Sequence, residues 1–346
     1  MIRFGIIGCG VIAPSHAESI LAAEGAALYA VCDILPEKAE EFQKKFGAEK
    51  KYTDYHDLLA DPLVDAVCIC TPSGMHGQMA ADAAKAGKHI FCEKPMEITA
   101  EKINWMIKEI RKYPVKMGCV FQRRTFPEAM AVKQALESGK FGKILVADAY
   151  LKYYRSPEYY KSAGWRATWE WDGGGALMNQ GVHGIDLIRW LTGEIDSVYA
   201  VTRTQLHSIS VEDTAIALVR YQNGAVGVIE GTTCVSPAQD TRFEIHCEKG
   251  SIIFSDTGIL QWHLNGRPEE KAPELKTGAG SVKDDPAALN KFSHLPLIQD
   301  FVQAVEEGRE PMIPPEEARK SVDVILAIYQ SSRENREIKL GGNKND

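Results

Sequence analysis

The sequence lacks a long apolar run, a block of basic residues and any cysteine spacing typical of a metal site. The apolar stretch at residues 4–13 is interrupted by glycines and is far shorter than the roughly 20 residues that span a bilayer. It also lacks a basic leader of usual length and a cleavage site, so we expect a buried strand and turn. The net charge of −7 gives no electrostatic footprint for nucleic acid or for a membrane surface. The expected partner is therefore a small molecule.

Cysteine usage argues against a disulfide framework. Eight cysteines are present, and Cys32, Cys68, Cys70, Cys92 and Cys119 lie in apolar, strand-like runs. A single residue separates Cys68 from Cys70, which is strand alternation rather than the spacing of zinc ligands. We expect reduced core thiols, no metal and a cytoplasmic location.

The first third of the chain alternates short β-branched runs with helical patterns. Strands are predicted at RFGIIG, ALYAVCD, DAVCICT, HIFCE and VKMGCVF, and helices at residues 11–23, 36–46, 76–86 and 100–112. Near-continuous apolar strands separated by helices indicate a parallel sheet covered on both faces. This α/β pattern defines a first domain over residues 1–122.

The rest of the chain, residues 123–340, is predicted to be a second, α+β domain. A helix at 127–138 and a strand at 144–154 precede strands at 195–206, 213–221, 225–233, 242–247 and 251–254. Asn223-Gly224 is a strong hairpin signal and Lys249-Gly250 a weaker one, so the sheet should be mostly antiparallel. A polar segment with little core is expected at 265–293 and a polar tail at 341–346. Helices are expected at 295–307 and 316–333, near the end of the chain, and packing of these helices against the first domain stays open.

A glycine turn near the N-terminus predicts a dinucleotide site. Gly8, Gly10 and Ala13 form G-x-G-x-x-A between a strand and a helix, where glycines permit a tight turn and close approach to a pyrophosphate. Asp33 ends the second strand, 20 residues after Ala13, where a carboxylate would accept hydrogen bonds from a ribose hydroxyl. An ordinary glycine turn is the alternative, and Asp33 argues against it. The expected contacts of the turn are Gly8, Cys9, Gly10, Val11 and Ile12.

Asp33 also bears on the choice of cofactor. A carboxylate repels a 2′-phosphate, and the following residues, Ile34-Leu35-Pro36, offer no arginine to receive one. We therefore expect NAD to be preferred over NADP.

Two further stretches carry candidate chemistry. HIFCEKP places Lys94 before a proline, hence in an extended conformation at the carboxyl edge of the sheet. By itself this motif favours an ordinary surface lysine at a strand end. GGGALMNQGVHGIDLIRWLTG places Asn179, His183 and Asp186 on one face of an otherwise apolar helix. A core histidine and an Asp186–Arg189 pair would explain that face without a ligand.

Four motifs together resemble the Gfo/Idh/MocA oxidoreductases: GCGVIA, TPSGMH, AKAGKHIFCEKP, and the three glycines followed by the helix that carries His183. The resemblance covers essentially the whole chain. It implies an N-terminal Rossmann domain, a C-terminal domain with a large, mostly antiparallel open sheet, and homodimers or homotetramers formed through that sheet. It also implies NAD(P)-dependent oxidation of a secondary alcohol of a sugar, cyclitol or nucleotide-linked sugar.

The same resemblance assigns roles to residues. It makes Lys94 the cation that stabilises the alkoxide, with a cis Lys94-Pro95 bond, and His183 the general base. Asn179 stands where many relatives have Asp, so it can position a hydroxyl but cannot act as a base. The glycines before the helix are expected to leave room for ligand. Further implied cofactor contacts are Thr71, Ser73, His76, Glu93, Lys94, Gln122, Trp165 and Arg166, and implied substrate contacts are Lys94, Arg123, Arg124, Lys152, Tyr153, Asn179 and His183.

Two other functions stay open at this point. One is a glycosidase of the same family that uses tightly held NAD in a cycle of oxidation, elimination and reduction. The other is a non-catalytic, dinucleotide-binding regulatory protein. The presence of both Lys94 and His183 argues against the second.

Overall fold

The computed structural model of the chain describes residues 1–275 and 293–341. Its described residues form two compact units. Unit 1 contains residues 1–122 and 293–319, and unit 2 contains residues 123–275 and 320–341. Most of the polar segment predicted at 265–293, and the tail after residue 341, lie outside the described residues.

Unit 1 is built on six parallel strands: β1 (Ile2–Ile7), β2 (Ala26–Cys32), β3 (Lys50–Tyr52), β4 (Ala66–Ile69), β5 (His89–Cys92) and β6 (Met117–Cys119). Their order in the sheet is β3-β2-β1-β4-β5-β6. The order reverses between β1 and β4, and ligands of such sheets bind at this point, outside the carboxyl ends of the strands. The predicted parallel sheet is confirmed. The prediction omitted β3 because its sequence, Lys-Lys-Tyr, is a short edge strand without an apolar run.

Five helices connect these strands: α1 (Ala13–Ala22), α2 (Pro36–Phe46), α3 (Tyr55–Ala60), α4 (His76–Lys85) and α5 (Ala100–Ile110). In α5, Ile103, Met106, Ile107 and Ile110 recur at helical spacing, and all four are buried. The Thr99 hydroxyl caps this helix by accepting the Lys102 N–H at 3.2 Å. Such local signals explain why α1, α2, α4 and α5 were predicted from the sequence, whereas the short helix α3 was not.

Unit 2 contains helices α6 (Pro127–Glu137), α7 (Pro157–Lys161) and α8 (Val182–Thr192), and eight strands. The strands are β7 (Ile144–Lys152), β8 (Ile195–Arg203), β9 (Thr214–Tyr221), β10 (Val226–Thr232), β11 (Arg242–Cys247), β12 (Gly250–Ser255), β13 (Gly258–Leu264) and β14 (Ile338–Lys339). They form one sheet in the order β13-β12-β11-β7-β10-β9-β8-β14. Only β7 and β10 pair in parallel, so the predicted mostly antiparallel sheet is confirmed.

Two more helices follow residue 293. Helix α9 (Leu295–Glu307) belongs to unit 1, and helix α10 (Pro315–Glu334) begins among residues of unit 1 and ends among residues of unit 2. Within the described ranges, none of the helices is long and apolar enough to span a bilayer. All eight cysteines are free thiols.

The glycines before α8 serve a purpose different from the expected one. A Cβ on Gly174 would overlap the hydroxyl of Tyr329, and a Cβ on Gly175 would overlap the backbone carbonyl of Glu212. The expectation that these glycines leave room for ligand is therefore wrong for Gly174 and Gly175, because the space beside them is filled by the protein's own chain. After them, residues Ala176–Gly181 form a π-helical turn before α8 begins.

The carboxyl group of Glu212 holds this turn in place. It accepts hydrogen bonds from the N–H groups of Gly175 and Leu177, each at 2.9 Å, and from the Tyr329 hydroxyl at 2.7 Å. Burial raises the pKa of Glu212 to about 7, although the three hydrogen bonds oppose that shift. The side chain therefore links the start of the π-helical turn to β9 and α10.

This raised pKa predicts a pH-dependent stability. A group whose pKa is higher in the folded than in the unfolded protein stabilises the fold fully below its unfolded value, 4.5, and loses that contribution as pH rises through about 7. Relative to Glu212→Gln, which does not titrate, the wild-type free energy of unfolding should fall by roughly 3 kcal/mol across this window. Denaturant unfolding at several pH values measures it, with the exposed Glu170→Gln as control. A difference independent of pH would contradict this account.

Candidate active site

The glycine turn after β1 has the shape that a pyrophosphate needs. Gly8 has φ +94°, its N–H donates to the Cys32 carbonyl at 2.8 Å, and a Cβ there would lie 2.7 Å from the Cys70 carbonyl oxygen. A Cβ on Gly10 would meet no described atom within 4 Å, and the next residue, Val11, is 67% exposed. The first turn of α1 carries no acidic side chain, so its N-terminus keeps its favourable potential for an anion. These features fit a dinucleotide.

Two backbone N–H groups fix the carboxylate of Asp33. Its Oδ2 accepts the Cys9 N–H at 2.9 Å, and its Oδ1 accepts the Leu35 N–H at 3.0 Å. Each carboxylate oxygen has two acceptor sites, so one on each oxygen remains for hydroxyl groups. Ile34 is 84% exposed and brings no cation to the carboxylate.

Lys94 follows the carboxyl end of β5, where it is half-buried. Its N–H donates to Oε2 of Glu93 at 3.1 Å, and the Lys94-Pro95 bond is cis, as expected. The ring of His76 lies nearby in the same unit, with Nδ1 2.8 Å from the Pro95 carbonyl oxygen and Nε2 2.9 Å from that of Thr71. Both ring nitrogens of His76 are thus engaged with the backbone. His76 thus supports the loops that follow β4 and β5, and its contact with the cofactor stays a prediction.

Glu93, a predicted cofactor contact, is 4% exposed and lies between two imidazoles. Its Oε1 is 2.8 Å from Nε2 of His16 and 3.2 Å from Nε2 of His294. Burial by itself raises the pKa of Glu93, but these two hydrogen bonds hold that pKa well below its ordinary value. Sequence reasoning missed both histidines, because no motif links positions 16, 93 and 294.

The remaining predicted cofactor residues of unit 1 differ in exposure. Thr71 is half-buried, Ser73 is buried in a short turn ahead of α4, and Gln122 is 2% exposed where the unit ends. Cofactor contacts by these three residues stay predictions.

In unit 2, Asn179 lies in the π-helical turn and His183 in the first turn of α8. Both are half-buried. The Asn179 amide donates to Oδ1 of Asp172 at 2.8 Å, and Oδ2 of Asp172 accepts the Ala167 N–H at 2.8 Å. A buried carboxylate therefore lies directly behind Asn179, although position 179 itself carries none. Sequence reasoning missed Asp172, whose only signal was its place beside the three glycines.

Asp186 is a structural residue, as its alternative interpretation held. Its carboxylate is 3.6 Å from the Arg189 guanidinium, but its main partner is Arg124, which donates to both oxygens at 2.6 and 2.7 Å. Ser321 donates a further hydrogen bond at 2.8 Å. Arg124 is 3% exposed and pairs with Asp186, and its contact with substrate stays a prediction.

Arg123 is likewise engaged inside unit 2. It is 5% exposed, with its guanidinium 3.0 Å from both Asp256 and Thr241. Tyr153 is also buried. The substrate contacts of Arg123 and Tyr153 stay predictions. Lys152 is more accessible and lies 3.3 Å from Glu230, so its contact with substrate stays a prediction.

Trp165 and Arg166 lie together and half-buried on unit 2. The Arg166 guanidinium lies over the Trp165 ring at 4.7 Å and over the Tyr159 ring at 4.5 Å, and it donates to the Tyr159 hydroxyl at 2.9 Å. Gln180 donates to the same hydroxyl at 2.9 Å. The predicted cofactor contacts of Trp165 and Arg166 remain predictions.

Known proteins resemble this chain along nearly its whole length. A family model described as "Oxidoreductase family, NAD-binding Rossmann fold" matches residues 2–121, and one described as "GFO/IDH/MocA C-terminal domain" matches residues 129–253. Myo-inositol 2-dehydrogenase of Thermotoga maritima is 29% identical over 346 residues, which is 98% of each chain. The Rossmann fold and NAD as cofactor are thereby confirmed.

Solved structures agree with these matches. The WlbA dehydrogenase from Bordetella pertussis, in complex with NADH and UDP-GlcNAcA, is 33% identical with a TM-score of 0.87, over 98% of this chain and 97% of that one. Levoglucosan dehydrogenase, in complex with NADH and levoglucosan, is 26% identical with a TM-score of 0.86, over 98% of this chain and 99% of that one.

The environment of Asp33 predicts cofactor selectivity. NAD should bind at least tenfold more tightly than NADP, a difference of about 1.4 kcal/mol, because the fixed carboxylate repels a 2′-phosphate. Asp33→Ser should lower the ratio of NAD affinity to NADP affinity by about tenfold. The control Glu101→Gln, which removes an exposed charge on α5, should leave this ratio unchanged. Calorimetric titration with both cofactors measures the ratios. Equal affinities in the wild type would show that Asp33 does not face the ribose.

Proposed function

The chain belongs to the Gfo/Idh/MocA oxidoreductase family, and on that premise we propose that it oxidises a secondary alcohol of a sugar, cyclitol or nucleotide-linked sugar to a ketone, with NAD as the hydride acceptor. The observation that supports this most is the placement of Lys94. It follows the carboxyl end of β5 in a sheet whose ligand-binding edge also carries the glycine turn and Asp33.

Each functional residue has a task in this proposal. The glycine turn, the N-terminus of α1 and Asp33 hold NAD, which when bound supplies the hydride acceptor. The Nζ ammonium of Lys94 stabilises negative charge on the hydroxyl oxygen of the substrate, an effect that is largest where water is excluded. The imidazole of His183 takes the hydroxyl proton. Asn179, anchored by Asp172, orients that hydroxyl through its amide.

The names of the relatives support the substrate class. They include an inositol dehydrogenase, a levoglucosan complex and a UDP-GlcNAcA complex. We propose a polyhydroxylated substrate of this kind, free or linked to a nucleotide.

A screen of inositols, sugars, anhydrosugars and nucleotide-linked sugars for reduction of NAD tests the proposal. At least one class should yield NADH in proportion to the alcohol consumed, and Lys94→Ala should abolish most of this turnover while leaving NAD bound. Bound NAD that never accumulates as NADH, together with cleavage of a glycoside, would instead show a glycosidase. NAD binding without any reaction would indicate a regulatory protein.

His183 and Lys94 can be separated by the dependence of rate on pH. Oxidation requires an unprotonated imidazole, which titrates near neutrality, so the wild-type rate should fall toward acid pH. His183→Asn keeps some hydrogen bonding but cannot take the proton, so it should lose this acid limb and leave a low rate throughout. Lys94→Ala should lower turnover by about two orders of magnitude and leave NAD affinity nearly intact. An unchanged limb in His183→Asn would assign the base to Lys94.

We also propose that the protein forms a homodimer or homotetramer through the sheet of unit 2. The observation that supports this is an apolar patch on one face of the sheet, where Tyr199 pairs with Leu218 and Val201 with Ile216 on adjacent strands. These four side chains are 40 to 60% exposed, and contiguous apolar surface of this kind marks contact sites. The mass of the protein in solution tests this assembly.

We further propose a cytoplasmic location, which the free thiols support.

A further inference from the structure

Three buried residues from distant parts of the chain meet inside unit 1. His16 lies on α1, Glu93 follows β5, and His294 immediately precedes α9. The two histidines are fully buried, and their rings lie 4.7 Å apart. We call these three residues the Glu93 cluster. None of them belongs to the glycine turn or to the Asp33 site.

The hydrogen bonds of the Glu93 cluster define which atoms carry protons. Oε1 of Glu93 faces Nε2 of both imidazoles, at 2.8 and 3.2 Å, and a carboxylate oxygen can accept two hydrogen bonds. Nδ1 of His294 is 3.0 Å from the Ser293 hydroxyl, which can donate to it. Nδ1 of His16 has no hydrogen-bond partner among the described residues. Both rings are therefore placed to donate from Nε2.

Glu93 is an anion beside the neutral imidazole of His16. Burial lowers the pKa of His16, which keeps this ring neutral, while the carboxylate of Glu93 is ionised. The other groups around Glu93 are the thiols of Cys68 on β4, Cys70 just after β4 and Cys92 on β5. Burial raises the pKa values of these thiols, so they add no charge. The next residue in the chain is Lys94. Its N–H donates to Oε2, the second oxygen of the same carboxylate.

We propose that His16 and His294 are positioning residues for the oxidation, because they hold Glu93 as an anion that fixes the Lys94 backbone. This inference rests on the proposed function, in which Lys94 stabilises the alkoxide. A buried carboxylate without donors would take up a proton, and the charge beside Lys94 would then be lost. The two imidazoles act through Glu93 and Lys94, so they need no contact with the substrate.

Two imidazoles and a carboxylate are also a set of side chains that can bind zinc, since their ligand atoms lie within 4.8 Å of one another. The distances favour hydrogen bonds, because one oxygen, Oε1, lies within donor distance of both nitrogens. Metal analysis of the purified protein decides between the two. One equivalent of metal, lost in His16→Gln, would overturn the proposal.

Paired substitutions separate positioning from folding. His16→Gln and His294→Gln keep an N–H donor close to the position of Nε2, whereas His16→Leu and His294→Leu remove it. The control is His89→Leu, at the other end of β5, where Nδ1 accepts the Lys116 N–H at 3.0 Å. The leucine variants should lose at least about tenfold in kcat with NAD affinity within about threefold, and the glutamine variants should recover most of that loss. His89→Leu should keep the wild-type kcat.

The pH profile gives a readout that a purely structural role would not change. In the leucine variants, Glu93 should take up a proton within the accessible range, so the rate should show an additional loss toward acid pH. Glu93→Gln, which has nearly the same shape, should lower kcat without that additional limb. If a leucine variant does not fold, the proposal is tested with Glu93→Gln, His16→Gln and His294→Gln. A wild-type kcat and pH profile in Glu93→Gln would overturn the proposal.

A measurement without substrate distinguishes failure of this inference from failure of the proposed function. In protein labelled with ¹⁵N-histidine, the Nε2–H groups of His16 and His294 should give protected signals that shift in Glu93→Gln. If no alcohol reduces NAD but these signals appear as expected, the proposed function fails and the hydrogen-bonded cluster stands. If alcohols are oxidised but the signals show no Nε2–H on either ring, the inference fails alone.

Discussion

A parallel sheet presents the carboxyl ends of all its strands along one edge, and the cofactor half of this protein depends on that constraint. Gly8 follows β1, Asp33 follows β2, Thr71 follows β4 and Lys94 follows β5. These residues are far apart in the chain, yet the order β3-β2-β1-β4-β5-β6 brings their strands side by side. Each residue needs only a short turn to reach the edge. The chemistry of unit 1 is thus a consequence of strand order.

Buried carboxyl groups hold the local structure around the functional residues in place. They do so at the ligand-binding edge of the sheet of unit 1 and around helix α8 of unit 2. Two imidazoles lie within hydrogen-bond distance of the Glu93 carboxylate, and a guanidinium donates to both oxygens of Asp186. Asp172 accepts hydrogen bonds from a side-chain amide and from a backbone N–H. Glu212 accepts two backbone N–H groups and a tyrosine hydroxyl. A buried carboxyl group needs hydrogen-bond partners, and its ionised form is tolerated only where donors surround it. In return, each carboxyl group fixes the backbone or side chain that donates to it.

The same feature gives several predicted ligand contacts partners within the protein itself. Arg123, Arg124 and His76 are polar and lie beside functional motifs, which favoured a ligand for each. The structure gives each of them partners within its own unit: Asp256, Asp186 and two backbone carbonyl oxygens. A sequence shows that a charged residue is present but not that an opposite charge folds against it. Asp256 is 133 positions from Arg123, and no local pattern connects the two.

The sequence by itself determined the local elements and the motif chemistry. Helix α2 and strand β11 begin and end where their apolar periodicity and flanking turn residues predict, and the glycine turn with Asp33 identified a dinucleotide site. These features depend on residues close together in the chain, so short-range sterics and periodicity suffice. Tertiary structure alone decided that the space beside Gly175 is filled by Glu212, that Asp172 lies behind Asn179 across a π-helical turn, and that His16 and His294 enclose Glu93. Such contacts form only when distant segments are packed together, because a buried charge must find its donors wherever the fold places them.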